Sequence, residues 1–253
     1  MGKLRIGILS SVKPRCFESV LNDNRFNDVE KYYATLSEQE VWRKNLKIKT
    51  LRENIEFKVF YTLEQLPKKG EFDGYILGGS PHMVTSKEEW MIKLQKFIYD
   101  EINSGKSVLG VCFGHQIMSN AFGGKVEYLD KRELGTREVY LNKDGLKDEI
   151  FSQMRSHFKS IWSHKQYVSN AGEGVALGDN SVSPNQIIRY GDNSYGVQFH
   201  PEFSREFATF LVKFLSSDLK KENLNEDKIL KKLNNLSQNE SSKIIELFLE
   251  SFR

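Results

Sequence analysis

The apolar run Ser107 to Cys112 ends in Gly110-Val111-Cys112-Phe113-Gly114-His115-Gln116, and an apolar helical pattern begins directly behind it. A chain can turn from strand to helix that abruptly only where the residues at the turn are small, because the two elements nearly touch there. Gly110 and Gly114 give that room on either side of Cys112. A strand feeding a helix in this way points to a layered α/β fold. Three more runs of branched and aromatic residues, Leu4 to Ser10, Phe57 to Thr62 and Tyr75 to Leu77, read as further buried strands. Before Ser107 lies a helical pattern. Ser86 precedes Glu89 at capping-box spacing, and Trp90, Met91, Leu94, Phe97, Ile98 and Ile102 recur at steps of three and four until Gly105. Strand, helix, strand predicts a crossover within a parallel sheet.

The stretch Val12 to Glu56 is too long for a simple connection and carries Tyr32, Tyr33, Leu36, Val41 and Trp42, which predicts one or two helices with an inserted loop. After Gly124 the texture changes to short alternating segments, Glu138 to Leu141, Gln166 to Val168, Ile187 to Tyr190 and Tyr195 to Phe199, expected to be antiparallel or edge-like. Ser204 is placed to cap a helix whose stripe is Phe207, Phe210, Leu211, Phe214 and Leu215. From Lys220 to Arg253 two amphipathic helices are expected, one with Ile229, Leu230, Leu233 and Leu236, the other with Ile244, Ile245, Phe248 and Leu249. The fold class expected is α/β: an open, mostly parallel, flavodoxin-like sheet flanked by helices, with a smaller antiparallel edge region and a C-terminal helical extension. The expected division is a catalytic domain over residues 1–217 and a helical extension over 218–253.

Composition narrows the function classes. With 253 residues and 39% hydrophobic content, the chain has ample material for a core, which excludes disorder for most of it. Thirty-seven basic against 34 acidic side chains leave +3, too weak a field to argue for a nucleic acid or membrane partner. Two cysteines, Cys16 and Cys112, do not make a disulfide framework, and no Cys/His cluster has zinc-ligand spacing, so neither metal nor cofactor is expected. The apolar stretch Ile6 to Leu9 is too short for a signal-peptide core or membrane span, so the expected location is cytoplasmic.

Three segments carry chemistry. The elbow points Cys112 outward, in a partly exposed site, at a helix N-terminus, where the dipole favours negative charge on sulfur. Cys16, in a polar stretch after Pro14 and Arg15, reads as an incidental thiol. A sulfur nucleophile needs a base, and the base needs an orienting carboxylate. Gln198-Phe199-His200-Pro201-Glu202 offers both at the end of a strand. Gly78-Gly79-Ser80-Pro81 follows the buried run Tyr75 to Leu77, where backbone N–H groups can face a developing oxyanion. The amide of Phe113 is the second expected donor.

Together these segments resemble the class I glutamine amidotransferase superfamily, with its G-x-C-x-G-x-Q elbow and distal H-P-E, over about residues 4 to 215. The resemblance implies Cys112 as nucleophile, His200 as general acid/base and Glu202 as its orienting partner. Gly79, Ser80 and Phe113 would form the oxyanion hole. It further implies that Gln116 and the backbone around Ser163 and His164 hold the α-amino and carboxylate ends of a glutamine-like substrate. His115, three residues past the nucleophile, points elsewhere. Two departures stand out: Ser80 occupies a position usually glycine in S-G-G-P, and Gln166 stands where an acid is frequent in S-H-x-D. The activity implied is cleavage of a γ-glutamyl amide, in glutamine or another γ-glutamyl compound, through a thioester on Cys112. Two alternatives remain open: a glutaminase subunit delivering ammonia to a separate synthetase partner through its C-terminal helices, and a non-catalytic binding or regulatory module on the same fold.

Overall fold

The structure, a computed structural model, describes residues 2–12, 17–36, 38–46 and 53–252. Cys16, Pro14, Arg15 and the Tyr33 side chain lie outside the described residues. One nine-stranded sheet organises the chain. Its strands are β1 (Leu4–Ser10), β2 (Ile55–Tyr61), β3 (Gly74–Leu77), β4 (Ser107–Val111), β5 (Lys125–Leu141), β6 (His157–Asn170), β7 (Val175–Asp179), β8 (Ile187–Tyr190) and β9 (Ser194–Val197). They lie side by side in the order β2-β1-β3-β4-β9-β8-β7-β5-β6. From β2 to β9 all pairings are parallel, and from β9 onward all are antiparallel. Strand β9 corrects one expectation: it is no edge, but the hinge between the two halves, parallel to β4 and antiparallel to β8.

Burial explains why the strands form where they do. β3 and β4 are buried at every residue and β1 at its last five, as continuous apolar runs in a sheet covered on both faces must be. β2, at the margin, alternates. The largest error of sequence reading is the β5–β6 hairpin, of which only Glu138 to Leu141 and Gln166 to Val168 were anticipated. Its strands are 17 and 14 residues long.

Eight α-helices are described: α1 (Asp28–Thr35), α2 (Glu38–Asn45), α3 (Glu89–Asn103), α4 (Phe113–Ala121), α5 (Arg205–Phe214), α6 (Ser216–Lys221), α7 (Glu226–Asn234) and α8 (Lys243–Glu250). Ser204 caps α5 as expected, its hydroxyl accepting the Phe207 N–H at 3.1 Å. Ser86 does not cap α3. Its hydroxyl donates to the Met83 carbonyl at 2.8 Å, Lys87 takes a left-handed φ of 52°, and the N-cap falls on Glu88. The chain makes one more turn before it can enter the helix.

The two sheet faces are closed differently. On one, α3 and α4 bury Met91, Leu94, Ile98, Ile117 and Met118 against Leu77, Val108 and their neighbours. On the other, α2 gives Trp42, the residue just after it Leu46, and α8 Ile244, Ile245, Phe248 and Leu249, to a core with Ile6, Ile8, Ile76 and Leu109. Leu219, Leu233 and Leu236 close over Ile161, Ala208 and Val212. Among the described residues no helix is long and apolar enough to cross a membrane.

The strand-to-helix turn at Cys112 demands its glycines. A Cβ on Gly110 would run into the Met118 sulfur and the Gly114 carbonyl, and one on Gly114 into the Leu77 carbonyl. Gly110→Val is therefore expected to cost about 3 kcal/mol or more by overpacking, read as a lower urea midpoint at unchanged m-value. A midpoint equal to that of the unmodified protein would refute the close approach.

Candidate active site

All three chemistry-bearing segments emerge at the carboxyl ends of the parallel strands, the edge where open α/β sheets bind ligands. Gly78 to Ser80 follow β3, Cys112 follows β4, and His200 lies three residues beyond β9. The β4–β9 pairing sets the last two side by side, with Val111 opposite Val197 and the Cys112 N–H donating to the Val197 carbonyl at 2.8 Å.

Cys112 is the N-cap of α4 with φ 53° and ψ −100°, a strained backbone for a residue with a side chain. Strain of this kind at a strand-to-helix turn holds a side chain up from the sheet. The site is more enclosed than anticipated: Cys112 is 5% exposed, His200 4% and Glu202 6%. The β5–β6 hairpin contributes to this, its Ser163 carbonyl oxygen lying 3.8 Å from the Cys112 sulfur.

His200 is fixed from several sides. Its Nδ1 lies 2.7 Å from Glu202 Oε1, which leaves the buried Nε2 without a hydrogen-bond partner among the described residues and available to serve Cys112. Its backbone N–H donates to the Ile161 carbonyl of β6 at 2.8 Å. The Phe203 ring stacks on the imidazole at 3.9 Å and 6°. Burial works against a charge on this ring, yet the Glu202 carboxylate and the Cys112 sulfur outweigh it and raise its pKa to about 10.

Gly79 lies against this pair. A Cβ placed on it would fall 2.9 Å from His200 Cε1 and 3.8 Å from Cys112 Cβ, so its backbone faces both. The Gly78 N–H is already used, donating to the Leu9 carbonyl at 3.2 Å. The Phe113 N–H begins α4 and is one of the donors a helix cannot satisfy internally. The Ser80 hydroxyl accepts the His82 N–H at 3.1 Å and donates to the Ser11 carbonyl at 3.2 Å. A serine here thus shapes the turn through its side chain.

The residues expected to hold substrate are less alike. Ser163 presents its carbonyl to the sulfur. Gln116 is buried, and its amide donates to the Gln166 carbonyl at 2.8 Å and to Gln198 Oε1 at 3.1 Å. His164 turns its ring away: Nε2 is 3.3 Å from the fully buried Glu133, and Nδ1 is 2.8 Å from the Gln166 carbonyl. Glu133 also receives Asn180, Ser183 and Arg137, so this cluster pins the hairpin. Gln166 is a clamp as well, accepting the Val84 N–H at 2.9 Å and donating to the Thr85 hydroxyl at 2.6 Å. His115 is wholly buried, packed where a Cβ on Gly196 would collide with its ring, and burial pushes its pKa down to about 3, although the nearby Asn185 and Gly196 backbones favour its protonated form.

Two residues that shape the site were missed. Phe203 follows Glu202 directly, so its position beside the His-Pro-Glu turn was a usable signal. Asn239, whose side-chain amide donates to the His200 carbonyl, sits in a polar asparagine-rich stretch with no such signal.

Comparison with known proteins places these features in a family. The sequence profile of glutamine amidotransferase class-I matches residues 28–214. Gamma-glutamyl peptidase 3 of Arabidopsis thaliana is 29% identical over 147 residues, 56% of this chain and 59% of that protein. One subunit of the glutamine-hydrolyzing GMP synthase of Methanococcus maripaludis is 32% identical over 157 residues, 60% of this chain and 76% of that protein. The chain thus spans less than two thirds of the length of the peptidase. A glutamine amidotransferase of Thermotoga maritima superposes with a TM-score of 0.72 at 14% identity, over 100% of this chain and 99% of that one, a likeness of fold alone. With the profile covering most of its length, the chain belongs to the class I glutamine amidotransferase family.

Proposed function

We propose that this protein is a cysteine-dependent hydrolase of γ-glutamyl amide bonds, working without a synthetase. The observation that carries the reading is the meeting of Cys112, the Glu202-bound imidazole of His200 and the Gly79 backbone at one sheet edge. The Cys112 thiolate attacks the γ-carbonyl carbon, forming a C–S bond and placing negative charge on the carbonyl oxygen. The amides of Gly79 or Ser80 and of Phe113 receive that charge; one such donor contributes about 3–4 kcal/mol in comparable sites. His200 passes its proton to the departing nitrogen as the C–N bond breaks, leaving a γ-glutamyl thioester. Water, deprotonated by His200, then attacks the thioester carbonyl, the C–S bond breaks, and glutamate leaves with the thiolate and the protonated imidazole restored. A buried cysteine working as a thiol suits a reducing, cytoplasmic setting.

Self-sufficiency is supported by what the C-terminal helices do. Their apolar stripes are largely spent inside the protein: Ile244, Ile245, Leu247, Phe248 and Leu249 are all buried, as are Leu233 and Leu236, while Ile229 and Leu230 are half-buried. Stripes used in this way leave little apolar surface on which a separate synthetase could dock. The second reading, a glutaminase that delivers ammonia to a separate synthetase, draws on the likeness to the GMP synthase of Methanococcus maripaludis.

Glutamate release by the purified protein, from L-glutamine and from a panel of γ-glutamyl dipeptides and amines, separates the two. Cys112-dependent cleavage of at least one γ-glutamyl compound by the protein alone is expected. Activity that appears only with a synthetase present would replace this reading with the second.

A further inference from the structure

The turn that carries His200 and Glu202 is gripped from outside the region matched by the family profile. Asn239, between α7 and α8 and 8% exposed, donates from its Nδ2 to the His200 carbonyl at 2.8 Å and to the Phe203 carbonyl at 3.0 Å. Its Oδ1 accepts the Ser241 hydroxyl at 2.8 Å, which fixes the way the carboxamide faces. Ser241 in turn meets the Ser160 hydroxyl of β6 at 2.6 Å, and the neighbouring Glu240 accepts the Lys159 N–H of the same strand at 2.6 Å. Strand β6 also holds the His200 N–H through Ile161. The turn is thus clamped at both ends: by β6 at its start, and by a side chain anchored to β6 across its middle and end.

We propose that Asn239 is a positioning residue for the reaction: its carboxamide sets the His200–Phe203 turn so that the imidazole stays aligned between Glu202 and Cys112. The inference rests on the reading of Cys112 and His200 as the reacting pair. The physical ground is that reacting groups displaced by about 1 Å can lose about a hundredfold in rate, while a backbone turn without its two donors is free to shift on that scale. The His200 carbonyl is otherwise poorly provided for, since the N–H of Phe203 reaches it only at 3.4 Å.

The test uses the full chain with Cys16→Ser, so that Cys112 is the only thiol. It reads kcat, KM, the pH profile of kcat/KM and the rate of Cys112 alkylation by iodoacetamide. Asn239→Ala is expected to lower kcat about tenfold or more with KM changed less than about twofold, and to move the alkaline limb of the profile. Ser241→Ala leaves Asn239 in place but frees its carboxamide to rotate, and should show the same changes in smaller measure; it serves if Asn239→Ala does not fold. Glu240→Ala loosens the segment without touching the turn, and should leave the kcat and the profile near normal. The proposal is overturned if Asn239→Ala and Ser241→Ala keep the unmodified profile, or if Glu240→Ala loses as much kcat as Asn239→Ala, for then the contact serves stability alone. Absence of Cys112-dependent turnover in the unmodified chain would instead sink the proposed reaction; the alkylation profile, which needs no substrate, still judges Asn239.

Discussion

Cys112→Ala is expected to abolish glutamate release, by about 10⁴-fold or more, because both halves of the proposed reaction pass through the sulfur and no other group stands where it does. The fold should be almost untouched. Alanine keeps the β-carbon that the turn already accommodates at φ 53°, and the lost sulfur contact, 3.8 Å to the Ser163 carbonyl, is weak. Far-UV circular dichroism and the thermal midpoint are the controls, and glutamate release from the preferred γ-glutamyl substrate is the readout. A variant that kept even a tenth of the rate would remove Cys112 from the reaction.

The second large effect separates His200 from Glu202. His200→Ala is expected to lower kcat/KM by about 10³–10⁴-fold, whereas Glu202→Gln, which keeps a hydrogen-bond partner at Nδ1, should lower it by about 10–100-fold. The pH dependence tells the two roles apart. With its pKa raised to about 10 from an ordinary 6.5, His200 binds a proton more tightly in the folded state than in the unfolded one. Its contribution to stability is present in full below about pH 6.5 and is lost as pH rises toward about 10. Urea unfolding at pH 6.5 and at 9.5 should therefore show a stability loss that narrows in Glu202→Gln, and the alkaline limb of kcat/KM should move to lower pH in the same variant. Equal rate losses in the two variants, with the limb unmoved, would give Glu202 a role other than orienting and charging the imidazole.

The parts of this molecule that were legible in its sequence are those governed by local rules. A strand buried on both faces must be apolar throughout, so β1 could be read from Leu4 to Ser10. The elbow announced itself because only small residues fit where Gly110 and Gly114 lie. The β5–β6 hairpin was illegible for the opposite reason. Over Lys125 to Glu138 its charged residues hide the alternation, and a register shift between Tyr128 and Glu133 breaks the period. Glu133 looks like a surface residue, yet it is fully buried because His164, Asn180, Ser183 and Arg137 converge on it from other segments. Because that hairpin was missed, so was the enclosure of Cys112, which its Ser163 carbonyl helps to produce. Asn239 belongs with these: its partners are fixed by tertiary structure, and nothing in its own neighbourhood points to them.

The pairing of β4 with β9 also bears on how the protein comes into being. Leu109 finds Tyr195 only after the whole β5–β8 segment between them has been laid down and folded back, which makes this one of the most distant contacts in the sheet. Contacts of that kind form late, since the entropy of closing the intervening loop is lost before the pairing returns anything. A refolding chain therefore regains much of its helix and its local hairpin while the thiol and the imidazole are still strangers. The meeting of Cys112 with His200 arrives as one of the last events of folding, and a molecule halted short of it can hold most of its secondary structure without that pair.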